Sequence, residues 1–331
     1  MRWFLIIALS TSAWAQTAPF APPEDISFRR ANIISEGTRM SAEVFAPKAS
    51  ADKKLSTILM AHGWGGTAAL LRPDAIAFAR AGYLAVTFDY RGWGDSDSRV
   101  ILTAPEPREH PNGRFTAEVQ EVREVVDPMD EVTDWFNAIA WLQAEPQFDP
   151  ARLGLWGSSF SGGLVVYVAE HDSRVKAIHS QVGAMDGRAM IANETERRKT
   201  YEEATKMALG ELGYPAPGVK AIGNLRGAPV RSKFVPYDPV EDVNKAPQCA
   251  MQFVIAEKEE LFDNRDHALK AYQRFTGGVG PGGFADQNLG EKRRGTERCA
   301  RDRLSQRPFF GFGHTRTVRD GASVGPAFEQ Y

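Results

Sequence analysis

Two short glycine-rich stretches carry the residue types that acyl chemistry needs. Gly154 to Gly163 reads GLWGSSFSGG, and counting from Gly157 the third residue is Ser159, a G-x-S-x-G pattern with Ser161 in place of the last glycine. Small residues are required where a chain turns sharply out of a strand into a helix so that one hydroxyl projects above a sheet. The helix that follows aims free N–H groups at any anion forming beside that serine. A glycine-rich turn that only permits close packing is the plain alternative. The second stretch, His62-Gly63-Trp64-Gly65-Gly66, follows the apolar run Ser56–Ala61. It sits where an acyl-transfer enzyme on such a sheet places its other oxyanion donor, which makes the backbone N–H groups of Trp64 and Phe160 the candidate pair. His62 precedes the serine in chain order and is read as a loop-bracing residue, not a general base.

The elements that must hold these stretches alternate. Ile26–Ser35 and Thr38–Phe45 read as strands joined at Glu36-Gly37, a hairpin signal. Ser56–Ala61, Leu84–Phe88, Arg152–Trp156, Val175–Ser180 and Gln252–Ala256 are short apolar runs of the kind buried on both faces of a sheet. Helices are expected over Leu70–Ala81, Glu121–Ala144, Phe160–Glu170 and Asn264–Phe275. Repeated alternation implies an α/β fold with a mostly parallel central sheet and helices on both faces. A helix-rich insertion, 182–248, interrupts it and reads as a lid. Its Thr195–Leu212 is expected to be amphipathic, with Tyr201, Ala204, Ala208 and Leu212 on one stripe, followed by a Pro/Gly-rich loop, Gly213–Gly218.

In this order and spacing the chain resembles the α/β-hydrolase superfamily over about residues 27–276. Ser159-Phe160-Ser161-Gly162-Gly163 is similar to the elbow of the cocaine esterase and Xaa-Pro dipeptidyl-peptidase branch. The HGWGG loop is similar to the dienelactone hydrolase branch, which uses a cysteine where this chain has Ser159. The Asp89–Ser96 loop matches a structural turn of many members. The resemblance implies the order serine, acid, histidine. Family spacing after the last parallel strand lands on Glu259, with Glu257 and Asp263 as rivals. His267 and His314 are the histidines that follow; His267 is on the next helix, which leaves His314 as the base. The implied activity is hydrolysis of carboxylic esters through an acyl-enzyme on Ser159. A peptidase or amidase of the same fold, or a catalytically dead hydrolase fold, are the alternatives.

Composition bounds the rest. The chain has 331 residues, 43% of them apolar and 25% charged, with a net charge of −2. Nothing in that balance points to nucleic acid or an anionic membrane as partner; a small ester or amide is the expected one. No H-x-x-x-H pair occurs and no G-x-G-x-x-G follows the first strand, so neither a metal nor a nucleotide cofactor is expected. Arg2, the apolar run Trp3–Leu9 and Ala13-Trp14-Ala15 have the anatomy of a secretory signal peptide over residues 1–15, which implies a periplasmic or secreted protein. No run is long enough to span a membrane. Cys249 and Cys299 could pair in such a compartment. After Thr276 the pattern stops. Residues 277–331 hold 11 Gly and 8 Arg in 55 positions and offer no buried strand. Glu259 and His314 are 55 residues apart, whereas one helix, one strand and two loops need about 25–30. Either a Gly/Arg-rich insertion precedes a functional His314, or the reading frame slips near Thr276. The abrupt change in composition favours the slip.

Overall fold

The computed structural model describes residues 20–191, 193–246, 249–256, 261–276 and 315–319. In chain order the strands are β1 (Ile26–Ser35), β2 (Thr38–Pro47), β3 (Leu55–Ala61), β4 (Leu84–Phe88), β5 (Arg99–Leu102), β6 (Val119–Val122), β7 (Val125–Val126), β8 (Phe148–Ser158), β9 (Ala177–Gln181), β10 (Lys220–Ile222), β11 (Leu225–Arg226), β12 (Ala228–Pro229), β13 (Ala250–Ala256) and β14 (Thr315–Arg319). The helices are α1 (Arg72–Arg80), α2 (Pro128–Leu142), α3 (Phe160–His171), α4 (Glu194–Ala208), α5 (Arg231–Phe234), α6 (Pro239–Asp242) and α7 (Ala268–Thr276).

Eight strands form the central sheet in the order β1-β2-β4-β3-β8-β9-β13-β14. The five from β4 to β13 are parallel. The β1–β2 hairpin closes one edge, turning at Glu36 (φ 47°) and Gly37 (φ 78°), the double left-handed turn that matches strand twist. α1 covers one face over Ile58, Met60, Ala85 and Trp156. α2, α3 and α7 share the larger core on the other face, around Trp135, Ile139, Leu164 and Phe253. Burial on both faces explains why β3 and β4 are apolar runs without alternation. From β3 the chain steps outward to β4 and then returns to β8 on the far side of β3. Such a reversal opens a crevice at the carboxyl ends of the two flanking strands. β3 runs into the 62–66 loop and β8 ends one residue before Ser159, so both motifs lie at the carboxyl ends of those strands.

The structure corrects several expectations. The helix expected from Glu121 begins only at Pro128, because Asp127 Oδ1 caps it by accepting from the N–H groups of Met129 (3.0 Å) and Asp130 (3.2 Å). Residues 119–126 are strand and turn instead. In the insertion, α4 is largely solvated: Tyr201 is 50% exposed and Leu212 42%. Its inner face is Thr200, Ala204 and Met207, so Ala204 is placed as expected, Tyr201 and Ala208 are exposed, and Leu212 lies beyond the end of the helix. The insertion also holds the β10–β11 hairpin, and β12 pairs in parallel with β7. The segment after Thr276 does contribute a strand. β14 lies antiparallel on β13, with Thr315 opposite Ala256. Cys249 is a buried free thiol whose pKa burial pushes up to about 12; Cys299 lies outside the described residues, as do residues 1–19. Among the described residues no helix is long and apolar enough to cross a membrane.

Candidate active site

Ser159 stands between the last residue of β8 and the first of α3 with φ 58° and ψ −124°. A residue with a Cβ is strained there, and such strain persists only where the surroundings over-determine it. The surroundings do so. The Ser159 N–H donates to Gln181 O (2.8 Å), and its carbonyl accepts from Gly162 N–H (2.9 Å) and Ala184 N–H (3.1 Å). Next to Gln181, Val182 also has a positive φ of 43°. Gly157 must be glycine, since a Cβ on it would lie 2.3 Å from Ser161 O. The hydroxyl of Ser159 is half-buried and has no hydrogen-bond partner among the described residues.

Ser161 takes the place of a glycine in the motif because a polar partner waits for it. Tyr90 Oη donates to Ser161 Oγ (3.3 Å) and accepts from Trp135 Nε1–H (3.0 Å), all three side chains being buried. This chain of bonds ties the turn to β4 and α2, and sequence reasoning did not find it. Its only signal was the polar residue at a position that usually holds none.

The loop after β3 comes close to the same point. A Cβ on Gly63 would lie 3.0 Å from Ser159 Cβ. Neither the Trp64 nor the Phe160 backbone N–H has a partner among the described residues. The Trp64 ring meets Phe160 edge-on at 5.6 Å and Phe234 of the insertion at 5.9 Å. His62 is buried; its Nδ1–H donates to Gly63 O (2.9 Å), and desolvation lowers its pKa to about 4. Asp89 braces this loop by accepting from Ala68 N–H (2.6 Å) and Asp95 N–H (3.0 Å), and burial raises its pKa to about 6. Both residues make hydrogen bonds within the loops that flank the Ser159 turn.

Of the remaining candidates, Glu257, Glu259 and His314 lie outside the described residues. Asp263 is turned to the surface and paired with Arg265, which lowers its pKa to about 2. His267 is buried with Nδ1 accepting from Met185 N–H (2.8 Å). His110 faces Glu106, His171 Nδ1 faces Tyr167 O and His179 Nδ1 faces Gln252 Oε1. Each of the five described histidines thus has one ring nitrogen held by a neighbour. No group of three or more His, Cys, Asp or Glu side chains among the described residues could hold a metal ion.

Several known proteins are similar to this chain. An uncharacterised 31.7 kDa protein of the traX-finO intergenic region of Escherichia coli is 33% identical over 179 residues, covering 53% of this chain and 53% of that protein. The quorum-quenching protein AidA of Acinetobacter baumannii is 30% identical over 193 residues, 57% of this chain and 54% of its own. The chain thus spans about half the length of the curated relatives it matches. Among solved structures, a hypothetical protein of Pseudomonas aeruginosa superposes with a TM-score of 0.58 at 17% identity, over 81% of this chain and 88% of that one. The α/β hydrolase GrgF of a Penicillium species gives 0.55 at 18% identity, over 75% and 85%. The fold is therefore that of the α/β hydrolases. The family model of the X-Pro dipeptidyl-peptidases matches residues 36–211, a span that holds the 62–66 loop, the Ser159 turn and the strands positioning both, and the chain belongs to that S15 family.

Proposed function

We propose that the protein is a serine hydrolase that cleaves carboxylic esters through an acyl-enzyme. Ser159 Oγ attacks the carbonyl, and the N–H groups of Trp64 and Phe160 receive the oxyanion. His314 takes the serine proton and returns it to the leaving alcohol, and Glu259 orients the imidazole. One observation carries the reading: a serine in a strained left-handed conformation (φ 58°) beside two unpartnered N–H groups. His314 is supported by chain order, since it is the histidine beyond the helix that follows Glu259. It is also the sequence neighbour of Thr315, which pairs with the last residue of β13.

The S15 family match favours a second reading, in which the same machinery cleaves an amide. In both readings residues 1–15 direct export and are removed, so that the mature protein starts near Gln16 in the periplasm or outside the cell. Fluorophosphonate treatment of the purified protein, followed by peptide mass spectrometry, tests the mechanism. The adduct is expected on Ser159, and Ser159→Ala should abolish turnover of short-chain aryl esters. Labelling elsewhere, or a Ser159→Ala variant as active as wild type, overturns it. Parallel assays with aryl esters and aminoacyl anilides rank the two substrate classes, and intact mass gives the mature N-terminus.

A further inference from the structure

Glu124 links β6 to β7 and holds φ 51°, a left-handed conformation rarely adopted by residues with a Cβ. Its polar groups explain why it is kept there. The N–H donates to Gly92 O (3.1 Å) and the carbonyl accepts from Ala228 N–H (3.1 Å). One carboxylate oxygen accepts from Gly218 N–H (2.7 Å) and the other from Arg226 Nη1 (3.0 Å). Gly218 and Arg226 bracket the β10–β11 hairpin, so one side chain holds both of its ends. The Glu124 side chain is 16% exposed, whereas its partner Arg226 is 50% exposed, so the clamp rests on the bond to Gly218 N–H and the backbone bonds as much as on the ion pair. Tyr214 adds a second tie by stacking under the Arg99 guanidinium at 5.7 Å.

What the hairpin's base touches gives the clamp a purpose. Trp64 Nε1–H donates to Gly227 O (3.0 Å). A Cβ on Gly65 would lie 2.8 Å from Arg226 O, and one on Gly227 would lie 2.7 Å from the Trp93 ring. The Arg226–Gly227 backbone is therefore gripped between the oxyanion loop on one side and Trp93 on the other. We infer that Glu124 is a positioning residue: by clamping the β10–β11 hairpin it fixes Arg226–Gly227, and through them the loop carrying the Trp64 oxyanion donor. The catalytic consequence rests on the serine hydrolase reading; the clamp does not.

The test compares wild type with Glu124→Gly and Glu124→Gln in the full chain. Glycine suits the left-handed backbone and removes both side-chain bonds, so the variant should fold. Glutamine keeps an acceptor for Gly218 N–H and loses the charge facing Arg226. In Glu124→Gly, amide exchange over 214–230 and exchange of the Trp64 indole N–H, assigned with Trp64→Phe, should accelerate about ten-fold or more. Short-chain aryl ester turnover should lose about ten-fold in kcat with KM within about two-fold, because a displaced donor affects the transition state more than the bound ester. Glu124→Gln should fall between. Unchanged exchange over 214–230 overturns the clamp. Faster hairpin exchange with unchanged Trp64 indole exchange and kcat overturns the positioning role. A wild type that neither labels on Ser159 nor turns over ester overturns the hydrolase reading, while the two exchange measurements still decide the clamp.

Discussion

His62 Nε2 and Asp89 Oδ1 face each other across 3.8 Å, both buried, and Nε2 has no hydrogen-bond partner. Burial pushes the two groups in opposite senses: His62 falls from 6.5 to about 4, and Asp89 rises from 3.8 to about 6. The lowered histidine favours the folded state above its unfolded pKa, and that contribution is lost as pH falls from about 6.5 to 4. The raised carboxyl contributes below its unfolded pKa and is lost as pH rises from about 3.8 to 6. The two slopes oppose each other over nearly the same window. Asp89→Asn removes one opposing slope and leaves that of the histidine, so stability should rise with pH between about 4 and 6.5 more steeply, or fall less, than in wild type. Urea midpoints at three pH values across that window check this; parallel curves would contradict it.

Gly63→Ala should disarm the site with little effect on the core. Its Cβ would lie 2.6 Å from Ser158 O and 3.0 Å from Ser159 Cβ. Displacing the turn by such a margin is expected to slow fluorophosphonate labelling and ester turnover by about 100-fold. Gly82→Ala is the control, since φ is +96° but nothing lies within 4 Å. It should cost about 1 kcal/mol of stability and leave the labelling rate unchanged.

Asp134→Ala should be among the most destabilising single changes. Asp134 accepts from Ser35 Oγ (2.6 Å), Arg91 Nε (2.5 Å) and Arg91 N–H (3.0 Å), and both charged side chains are buried. Removing the carboxylate leaves the buried guanidinium with only the Asp130 carbonyl (3.1 Å) and a longer pair to the Asp130 carboxylate (3.6 Å), a loss of about 3 kcal/mol in chemical denaturation. Asp97→Ala, which breaks the exposed pair with Arg39 at 2.6 Å, should change stability by about 1 kcal/mol or less.

Glu170→Gln should stabilise the protein, and more so at high pH. Glu170 is buried near the end of α3, neither oxygen has a partner, and desolvation, reinforced by Asp242 and Asp238, raises its pKa from 4.5 to about 9. Wild-type stability therefore declines as pH rises through that interval, while the amide escapes the penalty. The Tm gap should widen between pH 5 and pH 9, at about 2–4 °C per kcal/mol relieved. A gap that narrows with pH would contradict the burial of this acid.

The coding DNA tests the segment after Thr276. A slipped frame predicts that another frame downstream of codon 276 encodes an apolar strand, a glycine-rich turn with a histidine, and an amphipathic helix. If no frame does so, the antiparallel β14 beside β13 belongs to the working fold, and His314→Ala should abolish ester turnover. Undiminished activity would remove His314 from the mechanism.

The sequence by itself determined the parallel sheet, because runs such as LAVTF have one stable use, burial between two helical layers. It also determined the Ser159 turn and the loop after β3, where local sterics admit few residue types. Tertiary structure decided everything that depends on which distant groups meet. The start of α2 was misread because the Asp127 cap and Pro128 outweigh a continuous apolar stripe. The solvated face of α4 could not be read, since an amphipathic pattern states that one side is buried but not which register wins. Tyr90 and Ser161 are 71 residues apart, and Glu124 and Arg226 are 102 apart. Neither bond has a local signature, because a hydrogen bond across a fold is specified by topology, and topology is set by the core.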